Sequence, residues 1–136
     1  MSGQHDYAKR QEIRLPELGE PISHYTDAVR FGDLLFISGM VGVDETGRVV
    51  SDDPAEQTRQ IFKRMEKILK AAGAGFADIL KVTVYLIDVN DRTKINPVRQ
   101  EFFGAARPAS TLVEVSRLAR PGIKVEIEAV AGIPQT

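Results

Sequence analysis

Two neighbouring stretches decide the fold: residues 53–73, DPAEQTRQIFKRMEKILKAAG, and residues 79–87, ILKVTVYLI. In the first, Asp53 can cap exposed amides, Pro54 suits the first helical position, and Glu56 falls third, as in a capping box. Apolar residues then recur at Ile61, Phe62, Met65, Ile68, Leu69 and Ala72 with the period of a helix, and Gly73 stops the pattern. This spacing predicts an amphipathic helix, with Lys63, Arg64, Lys67 and Lys70 on its outer face. The second stretch is β-branched and aromatic, which predicts a strand.

Working outward, the same two patterns alternate along the chain. Residues 25–29 form a short mixed segment, and Phe31-Gly32-Asp33 signals a turn. Leu34-Leu35-Phe36-Ile37 is a continuous apolar run that suits a strand buried on both faces, ending at Ser38-Gly39. Downstream, Asn96-Pro97 is expected to open a second helix by cap and first-position proline, closing at Phe102-Phe103-Gly104. Residues 111–115 read as a strand. Residues 123–129 alternate strictly, with Ile123, Val125, Ile127 and Ala129 on one face and Lys124, Glu126 and Glu128 on the other. Helices interleaved with strands predict an α+β domain: a mixed sheet with both helices on its apolar face. The opposite face then carries Glu126 and Glu128 near Thr83 and Tyr85, and is either solvated or shared with another subunit.

Residues 1–20 are polar and without clear period, and are expected to form a flexible lead-in to a single domain over residues 21–136. The 136-residue chain carries 18 Lys and Arg against 19 Asp and Glu, so no global basic field points to nucleic acid. No cysteine is present, which removes disulfides, thiol nucleophiles and thiolate zinc sites. His5 and His24 are the only histidines, so no metal centre is expected. No apolar run approaches a membrane span, and MSGQHDYAKR lacks the apolar stretch of a signal peptide; a cytoplasmic protein is the expectation.

A set of short motifs, each weak alone, occurs in a telling order. Phe36-Ile37-Ser38-Gly39, Lys81-Val82-Thr83-Val84-Tyr85-Leu86, Asn96 ahead of Glu101-Phe102-Phe103, Arg107-Pro108-Ala109, Val113-Glu114-Val115 and Val125-Glu126-Ile127-Glu128-Ala129 together resemble the RidA/YjgF family, also called endoribonuclease L-PSP. The resemblance runs from about Ile22 to Ala131. It implies a chorismate-mutase-like fold, a homotrimer with ligand clefts between subunits, and hydrolysis of enamines and imines of amino acids to 2-keto acids and ammonia. It also implies a small-molecule ligand and no metal or organic cofactor. Neither nucleic acid nor membrane is expected as a partner: the near-neutral chain, with no basic-aromatic stripe, gives a ribonuclease little support.

The resemblance also nominates site residues. Glu126 matches the carboxylate near the attacking water, and a partly buried glutamate with raised pKa suits proton transfer there. The bland alternative is a solvated glutamate or one paired with Lys124. Ser38 and Gly39 match the pocket wall, where glycine allows close approach; Met40 replaces the glutamine frequent in the family. Tyr25 matches an aromatic ligand contact, with core packing as the alternative. Asn96 matches a family position, but a cap ahead of Pro97 is reason enough for an asparagine, and the cap is the favoured reading.

The main departure is Pro108-Ala109-Ser110-Thr111, where active deaminases of the family read Pro-Ala-Arg-Ser. Ser110 stands in the place of the arginine that forks onto the substrate carboxylate, and a hydroxyl cannot replace it. The chain thus resembles an arginine-lacking branch, with a non-standard substrate in which Ser110, Thr111 and Leu112 line the cleft. Arg107 could swing in to compensate; a solvated turn is its other reading, as it is for Arg117 and Arg120. The competing function is a non-catalytic ligand-binding or protein-stabilising trimer that kept the cleft and lost the anchor.

Overall fold

The computed structural model describes residues 9–135. Six strands form one mixed sheet: β1 (Arg10–Ile13), β2 (Ala28–Phe31), β3 (Leu34–Val41), β4 (Ile79–Leu86), β5 (Ala109–Glu114) and β6 (Val125–Gly132). Their order across the sheet is β1-β2-β3-β6-β4-β5. Only β4 and β5 run parallel, joined by a helical crossover; the other pairs are antiparallel. Helices α1 (Pro54–Ala71) and α2 (Arg92–Phe103) complete the α+β architecture.

Helix α1 begins as its sequence dictates, with Pro54 in the first turn and Asp53 accepting a bond from the Ala55 N–H (2.9 Å). Ile61, Phe62, Met65, Ile68 and Leu69 are buried against Leu35, Ile37, Val82, Val84, Val125 and Ile127 of the sheet. Phe62 meets Phe76, Phe102 and Phe103 with ring centroids 5.2–5.6 Å apart, which locks α1 to α2.

Helix α2 starts earlier than its cap signal suggests. It opens at Arg92, directly after a tight turn in which Asp88 accepts from the Asn90 N–H (2.9 Å), and Pro97 lies inside it. Asn96 is therefore an exposed helical residue and not the cap. Burial of Ile95, Val98 and Phe103 holds this helix, and Thr93, whose carbonyl loses its helical donor to Pro97, is solvent-exposed.

Two further expectations change. Residues 10–18, placed in a flexible lead-in, form β1 and a one-turn helix at Pro16–Leu18; β1 pairs with β2 from Arg10↔Phe31 to Ile13↔Ala28. The mixed polarity of β1 hid it, because an edge strand buries little. Residues 1–8 of that lead-in lie outside the described residues. The run 34–37 is not buried on both faces either. Leu35 and Ile37 face the helices, while Leu34 and Phe36 (47% exposed) lie on the uncovered face.

That uncovered face carries the predicted polar residues in register: Tyr85 opposite Glu126 and Thr83 opposite Glu128.

Candidate functional site

A cavity of about 690 Å³ opens where the end of β3 meets residues 18–27, the 43–47 turn and the loop before β6. Its walls bring together Tyr25, Ser38, Gly39 and Glu126 from the predicted set, with Arg64 and Arg120.

The pairing of β3 with β6 slips between Ile37 and Met40. At this bulge Ser38 turns away from β6: its N–H donates to the Asp27 carbonyl (3.0 Å) and its hydroxyl to the Thr26 carbonyl (2.6 Å). The space vacated beside Gly39 holds the Glu126 carboxylate, and a Cβ at residue 39 would overlap it. The glycine at this wall thus makes room for the carboxylate itself.

Glu126 is half-buried. Loss of solvent, and then the charge of Glu128 on the same face, push its pKa above the ordinary glutamate range. Among the described residues no ion pair forms between it and Lys124, or with any other cation. Tyr85 lies alongside, its hydroxyl pKa raised by burial, then by the Glu128 charge. Two other acids of the cavity wall are committed: Asp27 accepts from the Leu15 N–H (2.7 Å), and Asp44 from the Thr46 and Arg48 N–H groups (2.9 and 3.0 Å). Tyr25 lines the cavity and is 50% exposed, so it is not packed in the core.

Arg64 and Arg120 were expected in solvent. Arg64 instead turns inward from α1 and donates to the carbonyls of Val41 (3.0 Å) and Leu18 (3.2 Å), with burial lowering its pKa. The helical spacing held this signal, because Arg64 is three residues from Ile61 and four from Ile68, inside the apolar stripe. Arg120 is half-buried on the cavity wall.

Gln57 was overlooked as well. It is fully buried, and its amide donates to the carbonyls of Ser51 and Gly122 (both 2.8 Å) while accepting from the Lys124 N–H (2.9 Å). All three bonds clamp the loop that aims β6, and hence Glu126, at the cavity. Gly42 permits this approach, since a Cβ there would sit 2.7 Å from the Gln57 Cα.

The remaining predicted residues lie elsewhere in the chain. Ser110, Thr111 and Leu112 are on β5, the outermost strand, and outside the cavity wall. In register with buried Val82 and Val84, Ser110 and Leu112 face the helix side; Thr111, opposite Thr83, faces the uncovered side. The Ser110 hydroxyl accepts from Arg99 Nη2 (2.9 Å) and the Thr111 hydroxyl from Lys81 Nζ (2.7 Å). Asn96 is exposed on α2, and Arg107 is exposed in the loop before β5. One copy of the chain therefore brings together four of the nine predicted residues and leaves five outside the cavity wall, three of them on the edge strand β5. Among the described residues no group of three or more His, Asp or Glu gathers as a metal site.

The family model described as Endoribonuclease L-PSP matches residues 17–133. A RutC family protein of Pyrococcus horikoshii is 46% identical over 113 residues, 82% of this chain and 89% of that protein. Human 2-iminobutanoate/2-iminopropanoate deaminase is 40% identical over 123 residues, 90% of this chain and 89% of the relative. The chain belongs to the RidA/YjgF family. A crystal structure of a Rid family protein of unknown function from Yersinia pestis superposes with a TM-score of 0.86 at 31% identity, covering 92% of this chain and all of that one.

In this RidA-family chain the Ser38-Gly39 bulge and Glu126 lie together on the cavity wall. Among the described residues no helix is long and apolar enough to cross a membrane.

Proposed function

We propose that this protein is a hydrolytic deaminase of enamine or imine metabolites, with a substrate that departs from the simple 2-imino acids. The observation that carries this reading is Glu126: a half-buried carboxylate that forms no ion pair among the described residues, set in a cavity and held above its usual pKa by burial and by Glu128. The name of the human relative specifies deamination of 2-iminobutanoate and 2-iminopropanoate, which supports the reaction class.

In the proposed reaction water adds to the imine carbon, Glu126 takes a proton from it, and a proton reaches the nitrogen. Collapse of the carbinolamine then expels ammonia and leaves a carbonyl. A carboxylate whose pKa is raised toward the working pH can both accept and return that proton. The Ser38-Gly39 bulge and Tyr25 would form the wall and mouth. In the same proposal a neighbouring copy brings its β5 edge, with Ser110, Thr111 and Leu112, and its Asn96 against the cavity, in a homotrimer. The substrate departs from the usual because Ser110 offers a hydroxyl where the resemblance implies a guanidinium.

A second reading follows from the Ser110 and Thr111 hydroxyls, which accept from Arg99 and Lys81: a trimer that binds a small molecule without turning it over. Imines generated in the assay by an amino-acid oxidase separate the two. The deaminase accelerates ammonia release, and Glu126→Gln abolishes the acceleration. Ligand-induced thermal stabilisation without any acceleration would establish the binder.

A further inference from the structure

We propose that Arg64 is a positioning residue for the proposed reaction: it fastens the cavity wall formed by residues 18–25 beside the Glu126 berth, and so sets how tightly a substrate is held there. This role rests on the deaminase reading and deepens it, assigning part of substrate binding to a residue whose hydrogen bonds go to main-chain carbonyls.

Residues 19–25 run between the one-turn helix at Pro16–Leu18 and β2, and line the cavity along most of their length. Their own bonds are local: the Gly19 N–H donates to the Pro16 carbonyl and the Tyr25 N–H to the Ser23 carbonyl (both 3.1 Å), and Glu20 pairs with Arg14 (2.6 Å). The segment is therefore held to the sheet at its two ends. At the later end Ser38 binds the carbonyls of both Thr26 and Asp27. At the earlier end Arg64 Nη2 donates to the Leu18 carbonyl (3.2 Å) while Nη1 donates to the Val41 carbonyl (3.0 Å). Ser38 and Val41 lie on either side of Gly39, and Val41 is the register partner of Glu126. The two fastenings thus flank the berth of the carboxylate.

Burial lowers the Arg64 pKa, with the Asp27 charge and Tyr25 acting in the opposite sense, yet an arginine keeps its charge throughout the working pH range. Among the described residues it forms no ion pair. A half-buried cation in that state costs desolvation energy that an apolar residue at the same turn of α1 would avoid. What the guanidinium supplies is a planar fork, whose two Nη atoms reach carbonyls of two separate segments at once. The Leu18 carbonyl closes the one-turn helix and accepts no backbone bond among the described residues, so without the fork it is left unpaired where the wall begins. Directly after it, Gly19 passes the 43–47 turn so closely that a Cβ there would lie 2.5 Å from the Glu45 carbonyl oxygen. A shift at Leu18 therefore moves both loops that line the cavity.

The test uses Arg64→Met, which keeps apolar bulk without donors, and Arg64→Lys, which keeps the charge and can still donate to both carbonyls. Ammonia release is followed on imines generated from leucine and methionine by an amino-acid oxidase, chosen because Leu18, Ile22 and Met40 make much of the wall apolar. Binding of the leucine product, 4-methyl-2-oxopentanoate, is read by calorimetric titration. Arg64→Met should raise KM and weaken product binding by about ten-fold while kcat stays within about two-fold, since Glu126 keeps its berth. Arg64→Lys should recover most of both. Hydrogen exchange read by mass spectrometry should quicken over residues 16–25 in the methionine variant and stay unchanged over β6. Should that variant not fold, Arg64→Gln removes the charge and the fork, and should give the same pattern. Wild-type exchange over residues 16–25 in a folded variant, wild-type KM and affinity, or a fall in kcat alone overturns the proposal. If affinity depends on Arg64 but the wild type releases no ammonia, the positioning role stands for ligand binding and the deaminase reading fails. Ammonia release with a KM indifferent to Arg64→Met has the reverse meaning. A wild type that neither binds the product nor releases ammonia overturns both.

Discussion

At the residue scale, Glu126 sits under two opposing demands. Its raised pKa means that the folded state binds a proton more tightly than the unfolded chain does. Stability from this group is therefore complete below the unfolded pKa and is lost as pH rises through the folded one. Wherever it is ionised, Glu126 costs stability in exchange for a reactive carboxylate. Glu126→Gln should raise the melting temperature at neutral pH, with the difference vanishing as pH falls below the ordinary glutamate range. The same variant should lower turnover by about a hundred- to ten-thousand-fold. Paired thermal scans and rate assays against pH check both parts, and equal turnover in a folded protein would reduce Glu126 to a structural residue. Gly39 gives an independent lever on the same carboxylate. In Gly39→Ala the new methyl group overlaps Glu126 and must displace it. Displacement by about an ångström at a reacting centre costs roughly a hundred-fold, so turnover should collapse while the far-ultraviolet spectrum stays unchanged.

At the element scale, the aim of β6 depends on α1 through one side chain. Gln57→Leu nearly preserves volume but strands the Ser51 and Gly122 carbonyls and the Lys124 N–H. Leaving buried polar groups unsatisfied costs about 1–3 kcal/mol, so the urea midpoint should fall measurably. Turnover should fall too, because the loop that positions Glu126 loses its clamp. A midpoint equal to wild type would show that water replaces the amide without loss. The elements themselves were largely legible. The α1 cap and stripe, the β4 run and the alternation of β6 each report a local period; α1 and β4 lie where they were read, while β6 begins two residues later, at Val125, and runs on to Gly132. The start of α2 was not legible, because burial of Ile95 outweighed the Asn96-Pro97 signal, and β1 was not, because an edge strand has no apolar rhythm.

At the scale of the whole molecule, the uncovered sheet face calls for a partner. It combines exposed Phe36 and Leu34 with half-buried Tyr85 and Glu126, a mixture that a single 15.0 kDa chain leaves facing water. A homotrimer is expected, and light scattering at micromolar concentration should give about three times 15.0 kDa. Phe36→Glu puts a charge into that face and should shift the mass towards the monomer, with turnover lost in step. A wild-type monomer that retains turnover would place the whole site within one chain and end the shared-cleft proposal.

The amino-acid sequence by itself determined the α+β class, the boundaries of α1, the helix-facing side of β6 and the pairing of Glu126 with the outer face. Each of these follows from a periodicity of 3.6 or 2, which neighbouring residues carry among themselves. Tertiary structure alone decided that the β3 bulge opens a berth for the Glu126 carboxylate, and that the carbonyls meeting Arg64 are those of Leu18 and Val41. It also decided that Arg99, and not Arg107, reaches Ser110. Those placements depend on partners far apart in the chain, and a side chain's destination is set by what the fold brings within reach of it.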